Sequence, residues 1–281
     1  MNYRHAFHAG NFADVMKHAL LARLVDYLKR KDAPFRVIDT HAGIGLYDLG
    51  SDEATRTGEW ANGIGRLDEP FAPAVEALLA PYREALAAVR ARHGEQAYPG
   101  SPAVVRELLR PADRGIAVEL HPDDHARLAE RLAGAPTMRA MHLDGWTALH
   151  ALVPPKERRG LVLVDPPFEI PGELERLSGE ILKAARKWPT GIFAGWYPIK
   201  EPRAVDRALA PFASAPRPVL RLELMIDRPD DPARLNGCGL VVVNPPWTLA
   251  DEAGLLLPAL AERLSRGGYG AFRCDPLGAT A

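Results

Sequence analysis

Cysteine is nearly absent: Cys238 and Cys274 are the only two in 281 residues. They form no C-x-x-C pair and have no histidine at ligand-like spacing, which argues against a disulfide framework and a zinc site. Two thiols in so long a chain fit a reducing compartment. No apolar run approaches the roughly 18 residues of a membrane span. The N-terminus lacks the apolar stretch and small-residue cleavage site of a secretory leader. The expectation is a soluble cytoplasmic protein with no membrane partner. Neither charge is in surplus: Lys+Arg 35 against Asp+Glu 36 leaves a net charge of -1. That excludes a protein that coats nucleic acid through general positive charge, and leaves room for a local basic face. Lysine is scarce, with seven against 28 arginines, and arginine is the better bidentate partner for phosphate. The rest is ordinary globular composition, 47% hydrophobic and 25% charged, which excludes a disordered tail, a fibre and a coiled coil. There is no internal repeat and no low-complexity stretch.

The length admits nearly two domains, or one large α/β domain with an insertion. Apolar residues at 12, 15, 16, 19, 20, 24, 25 and 28 have helical period. Asn11 caps that helix, Asp14 stands where a capping-box acid would, and Asp32 and Pro34 end it. A short strand, 35–39, runs straight into Thr40-His41-Ala42-Gly43-Ile44-Gly45. Residues 48–100 break the rhythm with turn-rich pieces and an Ala-rich helix over 73–92, and show no convincing strand. Ser101 as cap and Pro102 in the first turn start a new helix. Strands follow near 115–119, 137–143, 161–164, 191–196, 218–226 and 238–243. Helices fall near 122–133, 145–152, 173–187, 201–212 and 251–265. Strands alternating with helices imply a mostly parallel sheet covered on both faces. The polar loop 227–237 suits an antiparallel hairpin. In such sheets the ligand sits beyond the carboxyl ends of the strands, at the switch in strand order. Asp39, Gly43, Glu119, Asp144 and Asp165 all stand at strand ends.

Each strand end has a functional reading and a bland one. The glycines after the first strand let the backbone approach a ligand closely. They are not the dinucleotide fingerprint, because residue 48 is Asp rather than Gly. Asp39 before that loop suits a ligand carrying positive charge; the same turn can be purely structural. Glu119 can accept both hydroxyls of a ribose, or be a solvated strand-end acid. Asp144, before Gly145-Trp146, can accept from an adenine amine, or cap a helix. Asp165-Pro166-Pro167-Phe168 is the most specific. Two prolines end the ladder in a rigid extended turn that offers the Asp165 carboxylate and the Pro166 carbonyl as converging acceptors for an exocyclic amine. Phe168 can stack on the base, an interaction worth about 1–3 kcal/mol. The bland alternative is a proline turn that closes a strand.

Together these four motifs resemble the class I S-adenosylmethionine-dependent methyltransferases, and Asp-Pro-Pro-Phe resembles the signature of those that methylate exocyclic amino nitrogens. Asn244-Pro245-Pro246-Trp247 matches that signature too. It follows the last strand, which in this fold type runs antiparallel and ends on the side away from the cofactor, so Asp165 is assigned as catalytic and Asn244–Trp247 as structural. The tract 3–18, Tyr-Arg-His-Ala-Phe-His-Ala-Gly-Asn-Phe-Ala-Asp-Val-Met-Lys-His, is more specific still. It resembles the RlmJ family of 23S ribosomal RNA adenine-N6 methyltransferases, as do Asp39–Gly43, Arg56-Thr57-Gly58-Glu59, Tyr98–Pro102, Glu119–Pro122 and Asp144-Gly145. The resemblance spans essentially the whole chain.

That resemblance implies a Rossmann-like α/β core with a mostly parallel seven-stranded sheet and an antiparallel last strand, built from 1–47 and 101–281 and interrupted by an inserted helical subdomain at 48–100. The 74 residues from Gly45 to Glu119 suit an insertion, since the equivalent spacing in a dinucleotide fold is about 20. It implies S-adenosylmethionine as cofactor with no metal, and cofactor contacts at His18, His41, Ser101, Glu119, Asp144 and Gly145. Lys17 is a neighbouring candidate, with Asp39 and Gly43 from the first loop. It implies Asp165 as catalytic acceptor and Tyr3 near the RNA. Arg4, His5 and His8 join Tyr3 as substrate candidates, though each histidine can equally be a polar loop residue. Phe168 stands where family members commonly carry Tyr, which keeps the stacking face and loses a hydroxyl. The partner implied is 23S ribosomal RNA, with no obligate protein partner. Further cations open to RNA are Lys17, Lys156, Arg158, Arg159, Lys200 and Arg203; all but Lys17 read as solvated surface charges. The competing readings are a DNA adenine or cytosine amino-methyltransferase, a protein glutamine methyltransferase, and a non-catalytic RNA-binding assembly factor.

Overall fold

The computed structural model describes residues 5–278. The first helix, α1 (Phe12–Lys29), starts where Asn11 accepts hydrogen bonds from the amides of Ala13 and Asp14. Asp14 reaches back as a capping-box acid would, but to the amide of Gly10 at 2.9 Å. This is no surface helix with one apolar stripe: 15 of its 18 residues are buried, so it runs through the interior.

The remaining elements follow in chain order as β1 (Arg36–Asp39), β2 (Leu46–Asp48), α2 (Asp52–Thr57), α3 (Pro73–His93), β3 (Ala97–Pro99), α4 (Ser101–Leu108), β4 (Arg114–Glu119), α5 (Pro122–Leu132), β5 (Met138–His142), α6 (Gly145–Ala151), β6 (Gly160–Val164), α7 (Glu173–Lys187), β7 (Ile192–Ile199), α8 (Pro202–Leu209), β8 (Val219–Met225), β9 (Gly237–Val243), α9 (Leu249–Leu264) and β10 (Ala271–Leu277). Eight strands form one sheet in the order β10-β8-β9-β7-β6-β1-β4-β5. From β7 to β5 neighbouring strands are parallel, while β9 is antiparallel to both β7 and β8, and β10 to β8. The chain leaves β1 toward β4 and β5, then returns on its other side with β6 and β7. The crevice of a doubly wound sheet therefore opens at β1 and β6. Every residue of β6 is buried, as a central strand covered on both faces requires.

Three details depart from expectation. The sheet has one strand beyond the seven expected. β10, with sequence Ala-Phe-Arg-Cys-Asp-Pro-Leu, is half exposed and holds Pro276, so it lacks the apolar run that marks a strand and sits at the edge, where proline is tolerated. The segment 48–100 is bracketed by a two-stranded ribbon, β2 with β3, whose three-residue strands are too short for a period to show. Finally, Gly100 rather than Ser101 is the cap of α4. Ser101 lies inside the first turn, which frees its hydroxyl.

The segment 48–100 does not carry a core of its own. Leu67, Val75, Leu79, Tyr82 and Leu86 pack in one continuous cluster with Val15, Leu20 and Leu24 of α1 and with Val37 and Leu161 of the sheet. Among the described residues no helix is long and apolar enough to cross a membrane. A cavity at Leu79, fully buried at the seam between α3 and α1, tests this sharing. Leu79→Ala is expected to cost about 2–5 kcal/mol in a single urea transition followed by both circular dichroism and tryptophan fluorescence. A separate early transition would show that 48–100 unfolds by itself.

Candidate active site

The strand register aligns β1, β4 and β6, pairing Asp39 with Ala117 and Leu163. The residues that follow therefore emerge along one sheet edge, around a cavity of 1070 Å³. Lys17, His18, His41, Gly43, Ser101, Glu119, Asp144, Gly145, Asp165, Pro166 and Phe168 line it, together with His5 and His8. Among the described residues expected at the site, Asp39 alone is absent from the wall. It lies behind the loop, 1% exposed, and burial pushes its carboxyl up to about 7 against the pull of the Ser101 hydroxyl. Tyr3 and Arg4 fall outside the described residues.

The floor is made by the first two turns of α1. Asp14, Lys17 and His18 stand at i, i+3 and i+4, hence on one face. Asp14 is fully buried and receives the Gly10 amide, with His5 Nε2 at 2.9 Å and Lys17 Nζ at 3.1 Å. The Lys17 ammonium also donates to Asp165 Oδ2 at 2.6 Å. Burial works to neutralise both Asp14 and Lys17. It is overridden: His5 and Lys17 hold Asp14 well below the carboxylate range, and Asp165 and Asp14 hold Lys17 well above the ordinary lysine range. His18 differs. Burial takes it down to about 3, so it is a neutral ring. Its Nδ1 is 3.0 Å from the Tyr98 hydroxyl, which is 2.9 Å from that of Tyr82. Its Nε2 is buried with no hydrogen-bond partner. His8 faces Glu59 at 3.1 Å, and that hydrogen bond raises its pKa.

One end of the cavity is shaped by the loop after β1. Ala42 donates to the Val118 carbonyl and Gly43 to Glu119 Oε2, while His121 donates to Oε1. Both Glu119 oxygens are thus aimed by backbone amides. Gly43 has φ +60, and a Cβ there would lie 2.6 Å from the Tyr47 hydroxyl, so glycine is needed on both counts. A Cβ on Gly145 would lie 2.3 Å from the Thr40 carbonyl, which lets α6 start hard against the loop. Asp144 caps α6 through Oδ1, at 2.8 Å from the Thr147 amide. That fulfils the bland reading of this residue and leaves its other oxygen for a ligand. His41 is pushed down to about 4 by burial and packs edge-on against Trp146, 5.3 Å between centroids.

At the other end Asp165-Pro166-Pro167-Phe168 leaves β6. Phe168 has φ 53, a left-handed conformation that a bulky side chain adopts only under constraint. Its ring meets Trp196 in a T-shaped contact at 5.7 Å. Asn244 is anchored on the opposite sheet edge, where its amide donates to the Pro218 carbonyl and its Nδ2 to that of Gly191, just before β7. Trp247 is 77% exposed there. No motif pointed to Trp196 or Tyr82 as neighbours of the site. The spacing of Asp14, Lys17 and His18 could have marked one polar face on an otherwise apolar helix.

A doubly wound sheet with an antiparallel seventh strand, a proline turn at the end of β6 and an acid at the end of β4 mark a methyltransferase of the Rossmann-like class. The comparisons narrow this. Residues 32–275 match the family model described as "Ribosomal RNA large subunit methyltransferase D, RlmJ", and the chain belongs to that family. It is 37% identical to the ribosomal RNA large subunit methyltransferase J of Escherichia coli, over 96% of both chains, and 37% identical to that of Haemophilus influenzae, over 98% of both. The crystal structure of a Legionella pneumophila protein superposes with a TM-score of 0.85 at 32% identity, covering 95% of this chain and 98% of that one.

The buried titrating groups set an acid limit on stability. His18 and His41 titrate near 3 and 4 in the fold against 6.5 unfolded. Between these values the unfolded chain binds two protons that the fold refuses. Asp39 works the other way, holding one proton between 3.8 and about 7 that the unfolded chain lacks. Two outweigh one, so stability falls as pH drops from about 6.5 toward 4. The expected result is a urea midpoint that declines steadily over that window, and declines less in His18→Gln.

Proposed function

We propose that this enzyme transfers a methyl group from S-adenosylmethionine to the exocyclic N6 of an adenine in 23S ribosomal RNA, and does so in the cytoplasm. The carrying observation is that Asp165, at the end of β6, shares one cavity with the amide-aimed carboxylate of Glu119 and the free oxygen of Asp144. The site suits the cofactor. A buried histidine nitrogen without a protein partner faces it at His18, and its walls are rich in carboxylates, which favour a cationic ligand. Glu119 would take the ribose hydroxyls and Asp144 the adenine amine. Gly43 and Gly145 would let backbone approach, while His18, His41 and Ser101 would complete the contacts. Asp39 supports the loop from behind, and Lys17 bridges the cofactor and substrate ends.

Bound S-adenosylmethionine supplies an electrophilic methyl group on sulfur. The amine of adenine is a weak nucleophile, because its lone pair is delocalised into the ring. The Asp165 carboxylate and the Pro166 carbonyl accept its two N–H bonds and favour a pyramidal nitrogen as the new N–C bond forms. This is charge stabilisation with in-line positioning. The ammonium of Lys17, 2.6 Å from Asp165 Oδ2, holds that carboxylate in place for the task, and the displaced proton leaves to Asp165 or to water. Phe168 stacks on the extruded base, held at its angle by Trp196. Tyr3, Arg4, His5 and His8 are proposed as contacts to the RNA. The segment 48–100 is proposed as an insertion into the methyltransferase core.

Asp165→Asn is expected to lower turnover on ribosomal RNA by about 10²–10³-fold, as removal of one preorganised electrostatic contact does, with cofactor affinity retained in calorimetry. Phe168→Ala is expected to lose about 5- to 150-fold, equivalent to about 1–3 kcal/mol of stacking, and Phe168→Tyr to stay near wild type. Labelled methyl transfer to stripped ribosomal RNA and to duplex DNA separates the readings. Label only in DNA would sink this one, and undiminished turnover by Asp165→Asn would sink the mechanism.

A further inference from the structure

The cavity has a second wall that no motif marked. It is formed by the end of β7, the β8–β9 connection and the turn after α9, and each contributes one cation: Lys200, Arg234 and Arg266. These three segments are knotted together at Asn236, which is 1% exposed. The Asn236 side chain donates to the carbonyls of Lys200 at 3.3 Å and Asp231 at 2.9 Å. Its amide donates to the Ile199 carbonyl, and its own carbonyl accepts from the amides of Ile226 and Asp227. Ile226 in turn accepts from the amide of Arg266 at 2.7 Å. One buried asparagine thus sets three cations from distant parts of the chain on one surface.

These cations are also undercompensated. Elsewhere the structure pairs its arginines closely: Arg23 with Glu252 at 2.9 Å, Arg36 with Glu157 at 2.7 Å and Arg221 with Asp206 at 2.6 Å. Among the described residues neither Lys200 nor Arg266 has a carboxylate within 4.0 Å, and Arg234 has only Asp227 at 4.0 Å with its side chain 66% exposed. Two of the loop's acids are turned back on their own backbone, Asp227 onto the Arg228 amide and Asp231 onto the Ala233 amide. Glu59, which faces Arg266, is occupied by His8 and Asn11. The wall presents net positive charge on a chain whose total is -1.

Its place in the sheet says which anion it meets. β7 is three strand spacings from β4, about 14 Å, so the wall is remote from Glu119 and adjoins the Asp165–Phe168 turn through Trp196 and Pro198. We infer that Lys200, Arg234 and Arg266, braced by Asn236, receive the RNA phosphates that flank the target adenine. The inference rests on the ribosomal RNA reading above and adds to it the surface that positions the strand. Phosphate contacts fix register rather than sequence. The base is then chosen at Asp165 and the strand is held at this wall.

The test is the variant K200Q/R234Q/R266Q, compared with K31Q/K183Q/R207Q, which removes three exposed charges elsewhere. Methylation of a 23S ribosomal RNA fragment and binding of the same fragment are followed across salt concentrations. Each lost phosphate contact reduces the slope of log affinity against log salt by about 0.7–0.9. The wall variant should therefore flatten that slope by about 2–3 and raise the RNA KM by about 10- to 100-fold at 0.1 M salt. The effect should reside in KM rather than in kcat or cofactor affinity, and the comparison variant should keep the wild-type slope. Asn236→Ala, with all charges retained, should raise the RNA KM several-fold without moving cofactor affinity. An unchanged slope and KM in the wall variant, or an equal loss in the comparison variant, overturns the inference while wild type still methylates RNA. If wild type transfers no methyl to RNA, the underlying reading fails first and takes the wall with it.

Discussion

The site depends on one buried ammonium held between two carboxylates. Lys17 reaches both Asp165 and Asp14 from the second turn of α1. A lone ammonium or a lone carboxylate buried at this floor would be costly. The arrangement tolerates burial because each charge has a partner and Asp14 also receives the Gly10 amide and His5. It joins residues 148 positions apart and so fastens the N-terminal tract to the end of β6. Removing Lys17 leaves two carboxylates, Asp14 and Asp165, in the cavity floor without the ammonium between them. The candidate catalytic carboxylate is therefore inseparable from the helix beneath it.

Around this pair the fold divides its labour by strand. Loops after β1, β4 and β5 make the end rich in acids and glycine, where a cationic cofactor is suited. Ends of β6 and β7, with the β8–β9 connection, make the proposed substrate end, where aromatic rings meet and cations collect. The second Pro-Pro motif shows how much topology decides. Asn244–Trp247 has nearly the composition of Asp165–Phe168, yet β9 runs the other way and delivers it to the far sheet edge. A residue pattern acquires chemical meaning only from the edge at which its strand ends.

The parallel half of the sheet was legible because each strand is an apolar run ended by an acid or a glycine. Helix α1 was legible from its period and from Asn11. The residues at strand ends were legible for the same reason, and the N-terminal tract pointed to the family. What escaped shares a physical cause. β10 is half exposed, with polar and apolar residues mixed and a proline, so its pairing is visible only from β8. The Lys17–Asp165 bond, the Tyr82–Tyr98–His18 chain and the cations gathered at Asn236 join segments far apart in sequence, and no local period records such meetings. Lys200 reads as a solvated charge until the neighbours that make it part of a wall are known.

The burial of α1 has a consequence for how the molecule is made. Besides α3 and α4, some of its partners come from far along the chain: Arg23 pairs with Glu252 of α9, and Met16 Sδ lies 3.4 Å from Cys238 Sγ of β9. One face of the helix therefore stays uncovered until β9 and α9 have been synthesised. Contacts of such sequence separation form late and slowly, and an apolar helix waiting for them is exposed to misassembly. Lys17 and Asp165 can meet only when that wait ends. A chain broken off before β9 would have all its candidate cofactor residues and an incomplete seat for the helix beneath them, so synthesis through α9 is itself a precondition of the site's geometry.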